Sequence, residues 1–221
     1  MSKLVIGSLA LWWSALVWAQ DNPSVTQWIS IFQEVRQHAL FKDLRLTFAK
    51  AAAENVEYAP AGIIPRAGLD CVVVIAEGDN PMMARIMRLS ATAEDTHALL
   101  LAIAAHELGH CFRIRSKHMS TELWSRFAAT TQDSAERHAM EREVSIEEAY
   151  ADAYAFAYIQ DTRPALYANV FAAMRSFRHD PALSNPVYQV EPLYNHLATH
   201  GLDASLPLPR RVEAVMQQAK F

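Results

Sequence analysis

His106-Glu107-Leu108-Gly109-His110 decides the reading of this chain. Residues i and i+4 share one face of a helix, about one turn apart, so the two imidazoles converge on a single point. Glu107 lies ~100° around the same helix from His106, beside that point rather than on it. The helix opens at Thr92-Ala93-Glu94-Asp95, a capping-box pattern, and runs to about Arg115. Its centre is apolar on nearly every side, through Leu99, Leu100, Leu101, Ile103, Leu108, Cys111 and Phe112. Such a helix belongs inside a protein. Three ionisable side chains buried there without partners are costly, and a divalent metal removes the cost. The plainer alternative is a pair of core histidines satisfied by backbone carbonyls.

Two histidines need a third protein ligand. A third His two turns on is absent, since Ser116 follows Arg115. Glu148-Ala149-Tyr150-Ala151-Asp152 offers two carboxylates at i and i+4 on one helix face. Glu148 is the candidate ligand, and Asp152 can accept the spare N–H of a ligand imidazole and fix its tautomer. Glu147 is the rival, but its i+4 partner is Ala151. A capping role for Glu148 after Ser145 is the other alternative. Ala149, Ala151, Ala153 and Ala155 suit close packing against another helix, which favours the ligand role.

Outward from these motifs the chain reads as α+β and mostly α. Helices are expected over 22–38, 41–55, 121–140, 145–160, 164–178 and 210–220. Residues 71–76, Cys-Val-Val-Val-Ile-Ala, read as a buried strand. The turn Gly78-Asp79-Asn80-Pro81 then leads to a second strand over 83–89. Residues 180–209, with five prolines, read as an irregular loop with short helical pieces.

The 221 residues are 52% hydrophobic and 20% charged with a net charge of −4, which suits one ordinary globular domain. No basic run predicts nucleic-acid binding. Lys3 precedes an uncharged apolar run over 4–19 that ends Val17-Trp18-Ala19 before Gln20-Asp21. This reads as a signal peptide, residues 1–19, cleaved to leave a single domain over 20–221 with no stable membrane span. The run rises only ~24 Å as a helix, short of the ~30 Å needed by an uncleaved anchor. A periplasmic or secreted location follows. Cys71 and Cys111 form either one disulfide or two buried thiols. Cys111 lies ~140° from His106, a poor fourth ligand, so an open position on the metal is expected.

His106-Glu107-x-x-His110 with Glu148-x-x-x-Asp152 resembles the gluzincin zinc metallopeptidases, most closely the Ste24/HtpX/BepA-like family M48. Thr199-His200 and Arg210-Arg211-Val212 echo a further motif of that family, with Gly201 where it carries Pro and a longer gap to the Arg. The resemblance implies a zincin-like metallopeptidase domain with a small β-sheet packed on the metal-binding helix. It implies one Zn²⁺ held by His106, His110 and Glu148, with Glu107 as general base. Peptide or protein substrates, of the cell envelope, would be cut. An oxyanion donor is required. Tyr188, Tyr194, His196, His200 and Arg210 are the candidates, and the resemblance favours His200 as that catalytic group. The strand over 71–76, or its neighbour, offers an edge for an extended peptide. The rival functions are a non-catalytic zincin-like binding or chaperone module of the envelope, and an amidase acting on peptidoglycan.

Overall fold

The structure is a computed structural model describing residues 23–52, 60–66, 68–78, 80–131, 134–180 and 186–221. The expected leader, 1–19, lies outside the described residues. Eight helices and a three-stranded sheet are described. Helix α1 (Val25–Arg36) starts at Ser24, whose side chain caps Gln27 N–H while Gln27 caps Ser24 N–H in return. Its buried face carries Trp28, Phe32 and Val35. Strands β1 (Leu46–Ala52), β2 (Ala61–Ile64) and β3 (Cys71–Glu77) form a sheet of order β1-β3-β2. β3 is central, parallel to β1 and antiparallel to β2, and its unbroken apolar run suits a strand buried on both faces.

Two expectations fail here. Residues 46–52 form β1 and not part of a helix. Leu46 and Phe48 alternate with exposed Thr47, and pairing with β3 outweighs the helix preference of the alanines. Residues 83–89 do not form a strand. Asn80 Oδ1 accepts from Met82 N and Met83 N at 2.9 and 3.0 Å, and Pro81 takes the first helical position, so α2 (Pro81–Met87) begins there.

Helix α3 (Ala93–Arg115) is capped by Thr92 and buried along most of its 23 residues. It packs against α1, β2, α5 (Ala135–Thr162) and α6 (Tyr167–Arg178). The expected helix over 121–140 is broken into α4 (Leu123–Ala129) and the start of α5. α5 then runs unbroken for 28 residues, so Ser145 is mid-helix and caps nothing; its Oγ donates to Gln189 O at 3.0 Å. The capping alternative for Glu148 falls with it. A Cβ on Gly109 would stand 3.0 Å from the Tyr154 Cβ, so the glycine lets α5 approach α3 closely. The Pro-rich stretch is more regular than expected, holding a 3₁₀ turn over Pro186–Tyr188 and α7 (Glu191–His200). α8 (Leu208–Ala219) closes the fold against α5 and α7. No helix among the described residues is long and apolar enough to cross a membrane.

Candidate metal centre

Helix α3 presents His106 and His110 with ring centroids 4.8 Å apart and planes nearly perpendicular. Helix α5, drawn close at Gly109, places Glu148 across from both. Its Oε2 is 3.6 Å from His106 Nε2 and its Oε1 is 3.4 Å from His110 Nε2. All three side chains are buried, and their ligand atoms lie within 4.8 Å of one another. Donors ~2.0–2.1 Å from a tetrahedral ion stand about 3.3–3.4 Å apart, so the carboxylate–imidazole spacings fit a shared metal. This buried group can hold a metal ion.

Asp152, fully buried one turn beyond Glu148, sets the orientation. Its Oδ1 is 2.8 Å from His106 Nδ1. An ionised carboxylate only accepts, so Nδ1 carries the proton and Nε2 turns its lone pair toward Glu148. Arg178 of α6 donates to Asp152 through Nε (2.9 Å) and Nη2 (2.7 Å), and Nη2 also reaches Glu148 Oε2 at 3.1 Å. Tyr194 of α7 adds its hydroxyl to Asp152 Oδ2 at 3.0 Å. Burial pushes the Asp152 carboxyl upward, but Arg178 and His106 outweigh it and hold it well below the usual range. Glu148 is likewise pushed up by burial, then brought down to about 2 when His110 donates to it and His106 carries a charge, with Arg178 adding to the pull. Glu147, the rival ligand, is taken by Arg113 through bonds of 2.6 and 2.7 Å. The guanidinium also stacks 3.5 Å over the Tyr150 ring.

Glu107 goes the other way. Burial raises its carboxyl to about 7, against the pull of His106 and with the push of Glu148. Glu107, Glu148 and Asp152 with Arg178 leave a formal charge of −2 when the imidazoles are neutral. A divalent cation cancels that charge; without one, a proton on Glu107 relieves part of it.

The group lines a cleft of about 240 Å³ with Pro60, Ala61, Gly62 and Ile63 on one wall. β3 is flanked on both sides, so its neighbour β2 supplies the edge at the cleft. Of the five oxyanion candidates, Tyr188 alone lines the cleft. His200, favoured by resemblance, is not brought to the metal group. It is exposed at the end of α7, with Nδ1 3.3 Å from His196 O and its ring stacked on His196 at 4.5 Å. Arg210 is exposed, and Tyr194 sits behind Asp152. Cys71 and Cys111 are bonded, with Cα atoms 5.6 Å apart, tying the start of β3 to the residue after His110.

Sequence reading missed Arg178 and the bond from Tyr194 to Asp152, while Tyr188 was among its oxyanion candidates. Arg178 had a signal: it continues the apolar stripe of Val170, Ala173, Met174 and Phe177, where a charge must meet a buried partner. Compared with models of known protein families, with curated proteins and with solved structures, the chain matches none of them.

Proposed function

We propose that this chain is an exported zinc-dependent metallopeptidase of zincin-like fold. The observation that carries the reading is a buried carboxyl, Glu107, set next to a His106–His110–Glu148 group without belonging to it. Two imidazoles and one carboxylate are the donor set of a catalytic zinc with an open position. A zinc ion held there would polarise a carbonyl and lower the pKa of a water. Glu107 takes a proton from the attacking water as its oxygen adds to the amide carbon. It then delivers the proton to the nitrogen as the C–N bond breaks. Tyr188, which lines the cleft, would donate its hydroxyl to the developing oxyanion. Asp152, clamped by Arg178 and Tyr194, keeps His106 in the ligand tautomer.

The β2 edge favours an extended peptide over a compact substrate. The Cys71–Cys111 disulfide suits an oxidising compartment, periplasmic or extracellular, where envelope or secreted proteins would be the substrates. A module that only binds gains nothing from Glu107, whose burial is unfavourable. The test compares zinc content and cleavage of an unfolded protein by wild type and Glu107→Gln. Retained zinc with lost cleavage is expected; equal cleavage by both proteins rejects the reading.

A further inference from the structure

We infer that the cleft beside the metal group receives one large apolar side chain of an extended peptide, next to the bond that is cut. This rests on the peptidase reading and adds a substrate class to it. Leu99, Ile103, His106 and His110 follow one another along a single face of α3, at i, i+4, i+7 and i+11. Leu99 lies seven residues before His106, about 10 Å along the axis. The apolar wall therefore runs directly away from the ligands. On α6, Met174 and Phe177 lead into Arg178 in the same way, and Ile86 of α2 adds a third wall.

Every titratable group in this lining belongs to the cluster around the metal site, except the phenol of Tyr188. A carboxylate or ammonium placed between Ile86, Leu99, Ile103 and Phe177 meets no charged or hydrogen-bonding side chain and is disfavoured. The cleft's volume of about 240 Å³ falls below the ~300–1,000 Å³ of pockets that enclose a whole small ligand. It suits one part of a longer chain, while the β2 edge in its wall suits the peptide backbone.

The test uses the zinc-loaded chain and a set of peptides that differ at one position flanking the cut bond: Ala, Leu, Phe, Asp or Lys. kcat/KM should favour Leu or Phe over Asp or Lys by at least ~10²-fold. Ile103→Phe, at a partly buried position, narrows the cleft and should move the preference from Phe toward Ala by ~10-fold or more. A ratio between peptides does not depend on how much of the variant is folded. Binding of the same peptides, fluorescently labelled, to zinc-loaded Glu107→Gln should show the same order. Cleavage by wild type with no preference, or with preference for Asp or Lys, overturns this inference and leaves the peptidase reading standing. Selective binding without cleavage supports the apolar subsite and sinks the peptidase reading. Neither cleavage nor selective binding overturns both.

Discussion

The Asp152 carboxylate of α5 ties its helix to three others: it accepts from His106 Nδ1 of α3 at 2.8 Å, from Arg178 of α6 at 2.7 and 2.9 Å, and from Tyr194 of α7 at 3.0 Å. The His106 imidazole is thus oriented by a buried ion pair that lines the cleft but lies outside the His106–His110–Glu148 group. Asp152→Asn removes the charge on which both contacts depend. Metal affinity should fall ~10–100-fold, measured by competition with a chelator of known affinity. Unchanged affinity would show that His106 is oriented without Asp152.

Glu107 sets a pH dependence in the metal-free chain. Its folded value of about 7 exceeds the ordinary 4.5, so folding favours its protonated form. No cost arises below about pH 4.5. The cost grows as pH rises and is fully present above about 7, reaching about 3 kcal/mol. Glu107→Gln should therefore stabilise the metal-free protein at pH 8 and leave it nearly unchanged at pH 4. Denaturant melts in the presence of a chelator check this.

Gly109 is a contact point rather than a spacer between the two histidines. Gly109→Ala places a methyl 3.0 Å from the Tyr154 Cβ and must move α5, which carries Glu148. The cost should be about 1–3 kcal/mol in stability, with weaker zinc binding, both read from melts with and without zinc. A variant with wild-type zinc affinity would show that the helices absorb the methyl without moving the ligand.

Tyr188 supplies the cleft's phenolic donor. Tyr188→Phe should lower kcat ~10²–10³-fold with KM and zinc content nearly unchanged. A rise in KM alone would make Tyr188 a binding contact.

The buried His106–His110–Glu148 group was legible because its histidines form a local pattern: i and i+4 spacing on a helix already recognisable as buried. Glu148 could be chosen over Glu147 from the i+4 carboxylate at Asp152, and Arg113 holds Glu147 elsewhere. Strand β1 was not legible, because its alanines favour helix and only pairing with β3 reverses that preference. α2 was misread although its signal was present, Asn80 before Pro81 being a cap followed by a first-turn proline. The partners that arrive from distant helices, Arg178 and Tyr194, and the cleft position of Tyr188 depend on tertiary packing. His200, which the family echo favoured, is exposed at the C-terminal end of α7 and does not line the cleft.

X-ray absorption or an anomalous difference map of the zinc-loaded protein tests the account at its centre. One ion is expected, ~2.0–2.1 Å from His106 Nε2, His110 Nε2 and a Glu148 oxygen, with a solvent-accessible fourth position. Absence of zinc, or an ion bound elsewhere with this group empty, would contradict the account.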